Sequence, residues 1–145
     1  MTDENQSGKQ TIEDVLALDS GILDTFGMSV ETMEDGLCVL TSRVPESLVN
    51  AGGFAHGAIQ YALMDTGAAY ALRSQGLSGV TINGNITYVR GGRAGSLFRA
   101  TVQIANLTRR IATIKGEVTV QNEGDEEGNT EVAAHGTYIF QLRDR

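Results

Sequence analysis

The chain has 145 residues, of which 41% are hydrophobic and 20% charged, with a formal net charge of -7. That length suits one domain with a core that needs no staples, and no apolar run reaches the roughly 18 residues of a membrane span. A single cysteine excludes an internal disulfide, and two histidines exclude a finger-type zinc site.

In chain order, residues 1–10 (MTDENQSGKQ) are polar and expected to be frayed, with the single folded domain over residues 11–145. With no signal-peptide pattern in that start, a soluble, cytoplasmic protein is expected. Residues 11–18 predict a short helix, with Thr11 as N-cap, Asp14 three residues later and Gly21 closing the far side. Residues 26–33 and 36–43 predict a strand pair around the Asp35-Gly36 turn. Residues 44–54 are irregular, with Pro45 and the pair Gly52-Gly53. The one long helix is predicted over 56–75, ended by Gly76. Its apolar residues cover nearly every face, so it must be buried within a wrapping layer. Four long strands, rich in Val, Ile, Thr and Tyr, follow at 80–89, 96–106, 111–121 and 130–142. An acidic loop at 123–129 separates the last two. Two strands, a buried helix and four strands predict an α+β fold: an antiparallel sheet wrapped around one long central helix, the hotdog arrangement.

Charge is unevenly spread. The 51 residues between Asp65 and Glu117 contain no acid and carry Arg73, Arg90, Arg93, Arg99, Arg109, Arg110 and Lys115, a local +7 that leaves -14 on the rest. So acidic a remainder repels nucleic acid. The basic stretch suits a small polyanion such as a nucleotide-bearing molecule, or else consists of solvated arginines.

Familiar catalytic signatures are missing: no G-x-S-x-G elbow, no phosphate loop and no G-x-G-x-x-G. Cys38 reads as a small hydrophobe in a strand. One segment stands out: Asn50 to Gly57, followed by Asp65. Asp65 is the only acid between Ser47 and Gly116 and lies in the least polar helix. Burying a carboxylate is costly without compensation, so Asp65 is either a structural helix residue or a general base or nucleophile. His56 and Gly57 stand where the helix begins, where free N–H groups and the positive dipole end polarise a carbonyl; the alternative is an ordinary helix start. Gly57 and Asp65 are eight residues apart, about 12 Å along a helix. If both act on one bond, Asp65 of one chain must meet Gly57 of another, in a two-fold homodimer.

The pattern N50-x5-H56-G57-x7-D65, followed by G79-V-T-I-N-G-N-I-T-Y88, resembles the hotdog-fold acyl-CoA thioesterases of the phenylacetate-degradation type over residues 20–142. The resemblance implies that the Gly57 amide polarises the thioester carbonyl and that Asp65 is nucleophile or general base. It further implies that Asn50 and His56 orient substrate or water and that Thr81 positions the nucleophilic water. Coenzyme A would be part of the substrate, and no separate cofactor or metal is called for. Two departures stand in the chain: Ala58 replaces the second glycine of His-Gly-Gly, and Arg90-Gly-Gly-Arg93 replaces a proline-containing loop near the coenzyme A entrance. Arg90 and Arg93, with Arg109 and Arg110 in a neighbouring turn, are the candidate grips for the nucleotide phosphates. The acyl group is expected to be medium-chain or aryl, and dimers can pair into tetramers. The rival readings are a hydratase or dehydratase with His56 as acid/base, and a non-catalytic acyl-CoA binder.

Overall fold

A computed structural model describes residues 11–126 and 128–144; the expectation for residues 1–10 lies outside them. Thr11 caps the first helix, α1 (Ile12–Leu18), through a reciprocal pair: the Asp14 N–H donates to the Thr11 hydroxyl oxygen and the Thr11 N–H to the Asp14 carboxylate, both at 3.1 Å. Gly21 does not close this segment. It lies inside a second short helix, α2 (Ser20–Thr25), which continues the chain through Asp19. The left-handed glycine that ends the pair is Gly27 (φ 61°), so the first strand starts two residues later than the sequence suggests, because Phe26 and Gly27 still bond back to Ile22 and Asp24.

β1 (Met28–Glu34) and β2 (Leu37–Arg43) form the expected hairpin. Asp35 (φ 53°) and Gly36 (φ 76°) both sit in the left-handed region, as a two-residue turn matched to strand twist requires. After a single turn at Glu46–Leu48, the long helix α3 (Ala58–Ser74) is followed by β3 (Gly79–Tyr88), β4 (Leu97–Leu107), β5 (Ile111–Gln121) and β6 (Glu131–Leu142). The six strands make one antiparallel sheet in the order β1-β2-β4-β5-β6-β3.

Alternation along the strands places Leu40, Phe98, Val102, Ile114, Val118 and Tyr138 against Ile59, Leu63, Met64 and Leu72 of α3, all fully buried. The helix can lie this close because Gly67 has no side chain. A Cβ there would come within 2.8 Å of Val102 and 2.9 Å of Leu40.

The expected arrangement, an antiparallel sheet wrapped around one long helix, is what the chain forms. The sheet covers the inner half of α3, while Tyr61, Ala62, Asp65 and Ala69 are only partly covered. The reason is the strand order: β3 closes the sheet at its edge, and among the described residues no strand pairs with its outer side. That edge carries Val80, Ile82 and Tyr88, 48%, 53% and 49% exposed, with a bulge at Ile82 between the paired Thr81 and Asn83.

Candidate active site

The segment before α3 is a loop locked by its own polar groups. The Asn50 side-chain oxygen accepts from the N–H groups of Gly52 and Phe54, each at 3.0 Å, and the Asn50 N–H donates to the Phe54 carbonyl at 2.7 Å. Asn50 therefore holds the loop with its oxygen and keeps its NH2 group for other acceptors.

The His56 N–H donates to Leu48 O at 2.8 Å, fixing where the loop turns into the helix. Its ring nitrogen Nδ1 then accepts from the Ala58 N–H at 3.0 Å, so the neutral imidazole carries its proton on Nε2. His56 precedes the helix and its ring accepts from the first helical N–H; α3 begins two residues later than the sequence suggests, at Ala58.

Gly57 stands at the cap position in helical conformation (φ -59°). Among the described residues its N–H has no acceptor, while its carbonyl accepts the Tyr88 hydroxyl at 2.7 Å. The Tyr88 ring lies so close that a Cβ on Gly57 would sit 3.1 Å from it. Burial, and then nearby Tyr61, push the Tyr88 pKa up, so the hydroxyl remains a donor. The result is a helix N-terminus at which the Gly57 N–H is held at a fixed angle, a preorganised donor for a carbonyl oxygen.

Two turns further along α3, Asp65 is half-buried rather than enclosed. Its Oδ1 accepts the Thr81 hydroxyl from β3 at 2.6 Å. The two line a groove of about 310 Å³ with Ile22, Ala69, Val80 and Phe140, so the carboxylate faces a partly apolar slot open to a ligand.

The structure thus brings the sequence-predicted residues together as two groups. Asn50, His56 and Gly57 form one with Tyr88; Asp65 and Thr81 form the other. Eight helical residues, about 12 Å, separate them within one chain.

The arginines also divide. Arg93 lies on the Phe54 ring, its guanidinium carbon 4.7 Å from the centroid, beside the Asn50 loop. Arg90 is an exposed partner of Glu131 at 3.3 Å. Arg109 and Arg110 are not in a neighbouring turn: the Arg110 carbonyl accepts from Leu142, which pairs with Gly79 at the opposite end of β3. The β4–β5 hairpin is long enough to carry its turn to that far edge. There Thr108, Arg109, Arg110 and Arg143 line an open groove of about 640 Å³, distant from the Gly57 cap.

Sequence reasoning missed two contributions. Tyr88 was visible only as the end of the Asn-x-x-Tyr strand, and its bond to Gly57 joins residues 31 apart. Tyr70, whose hydroxyl donates to Asp19 at 2.9 Å, looked like one more apolar helix residue.

Comparison with known proteins agrees with this geometry. Residues 52–127 match the family model described as the thioesterase superfamily. The acyl-coenzyme A thioesterase PaaI of Escherichia coli K12 is 31% identical over 98 residues, covering 68% of this chain and 70% of its own. The solved structure of the Escherichia coli PaaI protein superposes with a TM-score of 0.80 at 24% identity, over 90% of each chain. A hypothetical thioesterase of Streptococcus pneumoniae, solved with coenzyme A, superposes with a TM-score of 0.72 at 24% identity, over 81% of this chain and 90% of that one. The chain therefore belongs to the thioesterase superfamily, among the hotdog-fold thioesterases of the phenylacetate-degradation type, and is a thioester hydrolase.

Proposed function

We propose that this protein hydrolyses acyl-CoA thioesters, releasing a free acid and coenzyme A, at sites shared between two copies of the chain. The observation that carries the reading is the Asp65–Thr81 pair at 2.6 Å, a carboxylate oriented by a hydroxyl at the mouth of a ligand-sized groove. The thioester carbonyl accepts the free Gly57 N–H, and Asp65 of the partner subunit meets the carbonyl carbon from the other side. As general base, Asp65 takes a proton from water while the water oxygen bonds to that carbon. The C–S bond then breaks and coenzyme A leaves as thiolate, which takes up a proton. As nucleophile, Asp65 would attack directly and a mixed anhydride would be hydrolysed in a second step. Thr81 holds the carboxylate; the Asn50 NH2 group and the His56 Nε2–H orient substrate or water. The mechanism asks for no metal.

Two independent features support the two-chain arrangement. The midpoint of Gly57 and Asp65 on α3 is Tyr61. The midpoint of their bonded partners on β3, Tyr88 and Thr81, falls beside Gly84. Those midpoints touch, the Tyr61 hydroxyl packing directly on Gly84. A two-fold axis through that contact would exchange the two half-sites and lay the bare β3 edges against each other. It would also carry Arg109 and Arg110 of one chain toward the Gly57 end of the other. Along with Arg93, they are then the cations for the nucleotide phosphates of coenzyme A. The Escherichia coli relative is named for acyl-coenzyme A hydrolysis, and the streptococcal structure holds coenzyme A.

The test is thiol release from short, medium, long and aryl acyl-CoAs, wild type beside Asp65→Asn. Turnover of at least one member is expected, reduced about a hundredfold or more by the substitution. Turnover that survives it would overturn the role of Asp65, and no release from any thioester would overturn the substrate class.

A further inference from the structure

We propose that the acyl group selected at this site ends in a carboxylate, held by Arg73 and Arg143. The inference rests on the acyl-CoA reading above and adds the chemistry of the distal end. The groove at Asp65 and Thr81 does not stop there. Asp19, Ala69, Tyr70 and Gly79 line both that groove and a second cavity of about 170 Å³, so the two form one path between α3, the start of β3 and the α1–α2 corner.

Along α3 the path follows one face, from Asp65 to Ala69 to Arg73 in steps of four residues. Ala69 is the small residue that leaves room between them. The near walls are apolar, from Ile22, Ala69, Val80 and Phe140, and suit methylene groups. The far end is cationic, with Arg73 on the helix and Arg143 just beyond β6. Among the described residues neither arginine forms an ion pair. Of the two acids on the path, Asp65 stands at the reacting end and Asp19, which lines both cavities, accepts the Tyr70 hydroxyl at 2.9 Å. Two guanidinium groups at the end of an apolar slot match a carboxylate, which accepts paired N–H donors in their plane.

Length follows from the helix. Asp65 and Arg73 are about 12 Å apart along the axis, and the arginine side chain reaches back over part of it, leaving space for an acyl chain of about five or six carbons. A neutral acyl chain of that length fills the slot but offers the arginines nothing.

The experiment compares glutaryl-CoA and adipyl-CoA with pentanoyl-CoA and hexanoyl-CoA, for wild type, Arg73→Gln, Arg143→Gln and the double variant. The expected result is a kcat/KM for the diacid thioesters about tenfold or more above the neutral chains of equal length. Each single substitution should remove most of that advantage, and Arg73→Gln should leave hexanoyl-CoA hydrolysis within about twofold. Equal rates on adipyl-CoA and hexanoyl-CoA would overturn the proposal, as would an advantage that survives the double variant. If none of the four thioesters is hydrolysed, the hydrolase reading fails for them by itself. Calorimetric titration with adipyl-CoA and hexanoyl-CoA then decides the distal site: tighter adipyl-CoA binding lost in the double variant supports it, and equal affinities overturn it.

Discussion

At Gly57, among the described residues, a backbone N–H is left unpaired and the peptide that follows it is fixed. The bond from the Tyr61 N–H to the Gly57 carbonyl is long at 3.4 Å, and the Tyr88 hydroxyl at 2.7 Å provides the tighter hold. Removing an oxyanion donor outright lowers turnover by about a hundredfold to a thousandfold; loosening the turn that aims it should lower it less. Tyr88→Phe keeps the ring against Gly57 and deletes the bond. Its kcat is expected to fall about tenfold with little change in KM, as steady-state kinetics would register. Of the candidate site, Gly57 and Asp65 stood out from the residues themselves, as a glycine at a helix start and an isolated acid in an apolar helix, whereas Thr81 and the roles of Asn50 and His56 came only through the family resemblance. Tyr88 was not legible, because a tyrosine in a strand is ordinary until the strand is seen to cross the helix cap.

At the scale of elements, α3 and the sheet are fitted through Gly67. Replacing Gly67 with alanine adds helix propensity worth about 1 kcal/mol, but the new methyl would stand 2.8 Å from Val102 and 2.9 Å from Leu40, both on packed strands. Overpacking of this kind costs about 1–3 kcal/mol. The variant is expected to be less stable than wild type, with a lower urea midpoint at unchanged slope. The strands and α3 were legible from local signals: Asp35-Gly36 with both φ positive, Gly76 stopping the helix at φ 72°, and long β-branched runs. α2 was hidden because Gly21 looks like a stop signal, while the turn that stops the helix falls at Gly27. The open face of α3 was hidden as well. Hydrophobicity says that a helix is covered, and only strand order says which of its faces the sheet covers.

Considered as one molecule, the core holds three acidic hydrogens that it cannot easily give up. Burial pushes the Cys38 thiol from 9.0 up to about 12. Burial also raises the Tyr70 hydroxyl, helped by Asp19, and the Tyr138 hydroxyl, helped by Tyr61 and Asp65. In each case the fold prefers the protonated form, whereas the unfolded chain ionises near the ordinary values. Their contribution to stability is therefore complete below about pH 9 and is lost as pH rises from there, by about 1.4 kcal/mol per pH unit for each proton released on unfolding. Melting temperatures measured from pH 8 to 11 should fall accordingly, and Cys38→Ala should make the decline shallower. A slope unchanged by that substitution would remove Cys38 from the account.

The bare edge of β3 has a kinetic meaning as well. On the two-chain reading, a hydrolase whose donor and carboxylate stand about 12 Å apart in one chain has no complete centre until two edges join. The concentration of working sites is then set by mass action among the copies themselves. Specific activity should be constant in concentrated solution and fall on dilution. Well below the dissociation constant of the pair, total rate should follow the square of protein concentration. Substrate, bridging both chains, should pull that threshold downward, so saturating acyl-CoA would protect a dilute preparation from losing activity. On that reading, an enzyme built on an open strand edge carries its own abundance as a control on its rate.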